Sequence, residues 1–127
     1  MKTTTILHIE DDDALRELLA RETEKSCNYI GVEQAEAAEE ILLQEKISLI
    51  ILDLALPRMN GFEFLEKNKH LVVQKEIPVI VTTGLESDHI KVLCKKHGCL
   101  SMHRKPLNIK RLLAEISAHL SSPKPRK

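Results

Sequence analysis

The chain has 127 residues, of which 43% are hydrophobic and 30% charged, and its Lys and Arg residues equal its Asp and Glu residues in number. This length suits one domain with a single core, and the balanced charge excludes strong electrostatic attraction to nucleic acid or to a membrane surface. No apolar run approaches the roughly 18 residues that a membrane-spanning helix needs. The N-terminus, MKTTTILHIEDDD, lacks the pattern of a secretory signal. We therefore expect a cytoplasmic protein.

The first half of the chain alternates strand and helix patterns. TTILHI (4–9) predicts a short buried strand, and helical spacing begins at Asp13, with Asp12 or Asp13 as the N-cap. NYIGVEQA (28–35) predicts a second strand, which is followed by a helix lined by Ala37, Ala38, Ile41 and Leu42.

The same alternation continues through the middle of the chain. SLIILDL (48–54) predicts a third strand, and the third helix begins near Phe62 and continues towards Leu71. IPVIVTTG (77–84) predicts a fourth strand, and the helix after it ends at Gly98, a typical C′ residue.

The last segment completes the pattern. CLSMHR (99–104) predicts a less apolar fifth strand at a sheet edge, and a strongly amphipathic helix begins at Ile109. Five strands that alternate with five helices predict an open, parallel α/β sheet. We expect one domain over residues 1–121 and a disordered basic tail over 122–127.

Polar residues follow four of the predicted strands. In an open parallel sheet, ligands bind beyond the carboxyl ends of the strands. At these ends lie Glu10, Asp11 and Asp12 after the first strand, Asp53 in the third, Thr82 and Thr83 in the fourth, and Lys105 and Pro106 after the fifth.

This set of residue types indicates phosphoryl transfer. Clustered carboxylates repel one another, and an all-oxygen site that relieves the repulsion suits Mg²⁺ or Mn²⁺. Asp53 can act as a nucleophile towards phosphorus. Lys105 and Thr83 can then neutralise and hydrogen-bond the transferred group.

Four stretches together resemble the receiver domain of two-component response regulators: ILHIEDDDALRELL (6–19), LIILDLALPRMNGFEFL (49–65), IPVIVTTG (77–84) and KP (105–106). The resemblance implies a flavodoxin-like, doubly wound (βα)5 sheet of strand order 2-1-3-4-5. It also implies that Asp53 accepts a phosphoryl group from a sensor histidine kinase or a histidine phosphotransfer protein.

The resemblance also implies roles for the other residues. Glu10 and Asp11 match the acid pair that holds Mg²⁺ together with Asp53, and the Ala55 carbonyl matches a backbone ligand. Thr83 matches the switch hydroxyl and Lys105 the lysine that pairs with the phosphoryl group. Met102 stands where the family usually has an aromatic switch residue, and Glu10 where Asp is commoner.

We expect the protein to be a stand-alone phosphorylation switch rather than a turnover enzyme. It catalyses only its own phosphorylation and slow dephosphorylation. Its output is an unknown downstream protein, and the last two predicted helices are a possible homodimer surface. Ala55 and Leu85 match positions that tune loss of the phosphoryl group. Neither can orient water, so we expect a long-lived phosphorylated state.

Several alternatives compete with this interpretation. A pseudo-receiver would bind partners without phosphorylation, and Met102 leaves room for that function. An aspartate-nucleophile phosphohydrolase would need a second acid where Ala55 stands. A flavodoxin would need small and hydroxyl residues where this chain has EDDD (10–13). We expect no nucleic-acid or membrane partner.

One short segment has the residue types of a zinc site. CKKHGCLSMH (94–103) contains Cys94, His97, Cys99 and His103. The segment runs from a predicted helix end into a predicted strand, so we expect the four side chains to point apart and Cys94 to be a core residue. With Cys27, the chain has three cysteines and no CxxC pair, which indicates no disulfide framework.

Overall fold

The sheet is seen in a computed structural model that describes residues 3–85 and 87–121. Its strands are β1 (Thr5–Ile9), β2 (Asn28–Val32), β3 (Leu49–Asp53), β4 (Val79–Thr83) and β5 (Ser101–Arg104). All neighbours pair in parallel, in the order β2-β1-β3-β4-β5. This order confirms the predicted flavodoxin-like topology and places β5 at an edge.

The helices are α1 (Asp13–Thr23), α2 (Ala35–Gln44), α3 (Gly61–Lys67), α4 (Lys69–Gln74), α5 (Asp88–Lys96) and α6 (Ile109–Ser121). The prediction of five helices was wrong for the described residues, because the third helix is broken at Asn68. The Asn68 amide donates to the carbonyl oxygen of Phe64 at 3.0 Å and to Glu39 Oε2 at 2.9 Å. This side chain competes with the backbone for helix hydrogen bonds, as Asn commonly does.

Helices cover both faces of the sheet, and each face has its own apolar cluster. Leu7 and Ile9 belong to the cluster that includes residues of α2, α3, α4 and α5. Ile6 alternates with them and packs with Leu19 of α1 and Leu112 of α6. Every residue of β3 is buried, which explains why its sequence is continuously apolar up to Asp53.

The element boundaries agree with most of the local signals. Asp12 is the N-cap of α1 and accepts hydrogen bonds from the amides of Ala14 and Leu15. Gly98 follows α5 with a positive φ of 69°, as predicted. Strand β2 ends at Val32, three residues before the predicted end, because α2 begins at Ala35.

Two predictions concern the chain as a whole. The expected tail over 122–127 lies outside the described residues. In the parts of the chain that the structure describes, no helix is both long enough and apolar enough to cross a membrane.

Candidate functional site

The carboxyl ends of the strands bring the predicted site residues to one edge of the sheet. Asp53 is the last residue of β3 and is in register with Thr82 of β4. Glu10 directly follows β1, and its amide donates to the carbonyl oxygen of Val32 at 2.9 Å. Lys105 follows β5, and its amide donates to the carbonyl oxygen of Thr83 at 2.7 Å. Backbone pairing therefore positions each of these side chains.

Three carboxylates converge at this edge. Glu10, Asp11 and Asp53 each offer an oxygen, and the three atoms lie within 4.8 Å of one another. Glu10 is fully buried and Asp53 is 2% exposed, whereas Asp11 is exposed. Carboxylate oxygens at this spacing are a donor set that Mg²⁺ accepts, with waters or phosphate oxygens completing its shell.

The lysine links the two buried acids. Lys105 Nζ lies 2.8 Å from Glu10 Oε1 and 3.2 Å from Asp53 Oδ2. Burial works against its charge, but the contacts with Glu10 and Asp53 outweigh burial and raise the pKa of Lys105. The ammonium group therefore stays charged between two carboxylates.

Glu10 is the most perturbed acid of the cluster. Burial, followed by the charge of Asp53, raises the pKa of Glu10 to about 7, although Lys105 and the Asp12 amide oppose the shift. Its Oε1 is buried and, despite the ion pair with Lys105, receives no hydrogen bond of regular geometry from the described residues. A cation at this oxygen would supply the missing partner, so the donor set fits a divalent metal.

Asp53 is held by groups on both sides. Its Oδ1 accepts a hydrogen bond from the amide of Ala55 at 3.0 Å, and its Oδ2 accepts one from Lys105. Gly61 packs tightly against the backbone of Asp53 and the side chain of Leu54. A Cβ at Gly61 would lie 2.8 Å from Leu54 Cδ2 and 3.0 Å from the Asp53 carbonyl oxygen. This role of Gly61 was not predicted from the sequence.

The side chains of the two predicted switch residues bond to groups other than the acids. Thr83 Oγ1 accepts from the amide of Leu85 at 3.0 Å and donates to the Leu85 carbonyl at 3.1 Å. Met102 is partly buried on the sheet face that α5 covers, with its Sδ 4.0 Å from Cys94 Sγ. Among the described residues, neither side chain is hydrogen-bonded to Asp53.

Two residues near the acids were also missed. Arg16 Nη1 donates to the carbonyl oxygen of Glu10 at 2.6 Å and thus fixes the turn after β1. His8 is fully buried on β1, and its Nδ1 is 2.5 Å from the hydroxyl of Tyr29. Burial, then the charges of Lys105 and Arg16, lower the pKa of His8 to about 3, so the ring is neutral. A histidine inside the apolar run ILHI was the available signal.

The prediction that all four side chains of the zinc-like segment point apart holds for the two histidines but was wrong for Cys94 and Cys99, whose side chains meet at the end of α5. His97 stacks on Phe62 with ring centroids 5.4 Å apart. His103 Nε2 lies 2.6 Å from Glu115 Oε1 of α6, on the other face of the sheet. Cys94 is a core residue of α5, also as predicted.

The fold and site define an α/β protein with an acid cluster and a lysine at the carboxyl edge of its sheet. A sequence profile of the response regulator receiver domain matches residues 6–117. The chain belongs to this family.

Similar proteins agree with that assignment. The response regulator ArlR of Staphylococcus aureus is 33% identical over 118 residues, which are 92% of this chain and 52% of ArlR. A probable cyclic di-GMP phosphodiesterase of Vibrio cholerae is 28% identical over 93% of this chain and 27% of its own length. The chain thus spans between about a quarter and a half of these two relatives.

Solved structures of receiver domains superpose closely. The non-phosphorylated HemR receiver domain of Leptospira biflexa gives a TM-score of 0.85 at 26% identity and covers 98% of this chain and 100% of that domain. The BeF3-activated receiver domain of RstA from Klebsiella pneumoniae gives 0.81 at 27% identity and covers 94% of this chain and 100% of that domain.

Proposed function

We propose that this receiver domain accepts a phosphoryl group on Asp53 and thereby switches a protein–protein interaction. The donor is a phosphohistidine on a sensor histidine kinase or a histidine phosphotransfer protein. One observation carries the proposal: the Asp53 carboxylate lies beside Lys105 Nζ at 3.2 Å and within 4.8 Å of oxygens from Glu10 and Asp11.

The reaction follows from this arrangement. A carboxylate oxygen of Asp53 forms a bond to phosphorus while the bond from phosphorus to the donor imidazole nitrogen breaks, and the electron pair leaves with the imidazole. Lys105 pairs with the charge of the transferred group, and the Ala55 amide holds the carboxylate in place.

The metal part of the proposal rests on the same acids. Glu10, Asp11, Asp53 and the Ala55 carbonyl are the groups that would hold Mg²⁺ or Mn²⁺. The bound ion would supply positive charge next to the transferred phosphoryl oxygens. Asp11, as the exposed acid of the three, gives the ion access from solvent.

The output follows from Thr83 and Met102. The Thr83 hydroxyl is bonded to the Leu85 backbone and must exchange these bonds to reach a phosphoryl oxygen on Asp53. That exchange would shift an equilibrium at the surface around α5, β5 and α6, where Met102 lies. An unidentified downstream protein or a second copy of the chain is the partner, and the chain catalyses only its own phosphorylation and dephosphorylation.

The test is the intact mass of the chain after incubation with acetyl phosphate, with and without Mg²⁺. We expect one added phosphoryl group that requires Mg²⁺ and is lost in Asp53→Asn. Asp13→Asn is the matched control, because the Asp13 side chain is 82% exposed and outside the acid cluster. No addition under any condition would overturn the proposal and favour a module that binds partners without phosphorylation.

A further inference from the structure

Three sulfur-bearing side chains meet between α5 and β5, outside the acid cluster. Cys94 Sγ lies 4.0 Å from Met102 Sδ, and the thiols of Cys94 and Cys99 are close enough for each to shift the pKa of the other. We refer to Cys94, Cys99 and Met102 as the sulfur cluster. Neither the family assignment nor the proposed phosphoryl transfer uses its thiols.

The backbone holds the two cysteines together. Helix α5 has its C-cap at His97, and two backbone hydrogen bonds close the turn that follows. The amide of Cys99 donates to the carbonyl oxygen of Cys94 at 3.0 Å, and the amide of Gly98 donates to the carbonyl oxygen of Lys95 at 3.1 Å. This pair of bonds, with Gly98 at a positive φ, is a Schellman motif, in which side chains at the positions of Cys94 and Cys99 meet.

The sheet fixes the third sulfur. Met102 is in register with Val81 of β4, and the amide of Leu100 donates to the carbonyl oxygen of Val79 at 2.7 Å. Its side chain packs against the cluster of core residues that contains Cys94. Two independent backbone constraints, a helix end and a strand pairing, therefore converge on one point.

We propose that the sulfur cluster binds one Cu(I) ion through two thiolates and one thioether. Two sulfurs bonded to one metal at about 2.3 Å and about 120° lie about 4 Å apart, which matches the separation of Cys94 Sγ and Met102 Sδ. Soft thiolate and thioether ligands select Cu(I).

The surroundings of the cluster exclude the commoner Zn²⁺. A structural zinc site needs four ligands, and the two nearby histidines are engaged elsewhere. His97 stacks on Phe62, and His103 bonds to Glu115 on the opposite face of the sheet. Three sulfur ligands without a fourth donor suit Cu(I) instead.

Copper binding at the sulfur cluster requires no change of oxidation state. Copper enters as Cu(I), the thiols of Cys94 and Cys99 each release one proton to solvent, and the Met102 thioether donates a neutral lone pair. Lys95 and Lys96 in the last turn of α5 offset the added negative charge. Cys94 is 8% exposed, whereas Cys99 and Met102 are partly exposed, so the site is sheltered but open to an entering ion.

The experiment is an anaerobic titration of the full chain with Cu(I) against a chromophoric chelator, with the thiolate-to-copper absorption band as a second readout. We expect one Cu(I) per chain. Cys99→Ser should weaken binding by more than the roughly tenfold to hundredfold that an outer-shell partner contributes, and Met102→Leu by about tenfold.

Cys27→Ser is the matched control. Cys27 is a buried cysteine in the other apolar cluster, with its thiol directed to the Thr23 carbonyl at 3.6 Å, so its replacement should leave Cu(I) affinity unchanged. Unchanged affinity in Cys99→Ser, or a loss of affinity only in Cys27→Ser, would overturn the proposal.

X-ray absorption at the copper edge of the wild-type chain keeps the proposal testable if a variant does not fold. Three sulfur neighbours at about 2.3 Å are expected. Nitrogen or oxygen neighbours in place of sulfur, or the absence of any copper uptake, would contradict the site.

Discussion

Lys105 Nζ lies 3.2 Å from Asp53 Oδ2, although 52 residues and strand β4 separate the two. The same ammonium group lies 2.8 Å from Glu10 Oε1. One cation thus faces two buried carboxylates, and without a metal the site keeps an excess of negative charge. The electrostatics of this edge therefore depend on Lys105, on the protonation of Glu10 and on any bound cation.

Replacement of Lys105 by Gln should destabilise the metal-free protein. The change leaves Asp53 and Glu10 without their counter-charge, and we expect a loss of about 2 kcal/mol, less than for a fully buried pair because Lys105 is partly exposed. Urea unfolding at pH 8 measures this loss as the difference in the free energy of unfolding between wild type and Lys105→Gln. Lys110→Gln, at an exposed lysine of α6, is the control, and an equal loss in both variants would contradict the argument.

Mg²⁺ affinity should rise with pH up to about pH 7. The pKa of Glu10 is raised to about 7, so the folded protein keeps this proton after the unfolded chain has lost it, and the cation must displace it. The dissociation constant should fall about tenfold per pH unit below that pKa and level off above it. Calorimetric titration at pH 6, 7 and 8 measures the effect.

The variant Glu10→Gln tests whether the pH dependence comes from the Glu10 carboxyl group rather than from another titrating group. It should bind Mg²⁺ more weakly and with no change of affinity between pH 6 and 8. The metal-free Glu10→Gln protein should also escape the fall in stability that the wild type shows as pH rises from about 4.5 to about 7, where only the folded state holds the extra proton. A pH dependence that survives in Glu10→Gln would rule out Glu10 as its source.

The sequence predicts much of this site because parallel strands place their carboxyl ends together. The sequence shows an apolar run that ends at Asp53 and polar residues after the other strands. This pattern was sufficient to predict that Glu10, Asp11, Asp53 and Lys105 lie at one edge of the sheet. Hydrophobic periodicity identifies where each strand ends, and the parallel topology places those carboxyl ends at the same edge of the sheet.

The features that were missed depend on contacts between elements. The break at Asn68 involves a hydrogen bond to Glu39, which lies 29 residues earlier on another helix. The pairing of His8 with Tyr29 depends on the register of β1 against β2. Local patterns carry no information about such partners.

His8 should make the protein sensitive to mild acid. The folded pKa is lowered to about 3, so the unfolded chain takes up a proton as pH falls below about 6.5 while the folded state does not, and stability is lost in that direction. Between pH 7 and pH 5 this amounts to about 2 kcal/mol. Urea unfolding at both pH values should show that His8→Leu loses less stability than wild type.

The control for this variant keeps the histidine. Tyr29→Phe removes the hydroxyl that lies 2.5 Å from Nδ1, and it should cost about 1–3 kcal/mol at pH 7 because a buried nitrogen loses its partner. It should retain the acid sensitivity of the wild type. If His8→Leu and wild type lose equal stability between pH 7 and 5, the effect does not come from His8.

The lifetime of phosphorylated Asp53 should be set by Ala55 and Leu85. Both residues are exposed, Ala55 two residues after Asp53 and Leu85 two residues after Thr83, and neither has a polar side chain that could orient a water molecule for attack on phosphorus. Ala55→Asn and Leu85→Glu should therefore each shorten the half-life several-fold, measured by intact mass after removal of the phosphodonor. Leu43→Glu is the matched control, since Leu43 is 69% exposed and Leu85 70% exposed, and Leu43 lies on α2 away from the acids. Unchanged half-lives in the first two variants would show that water reaches the phosphoryl group without help from these positions.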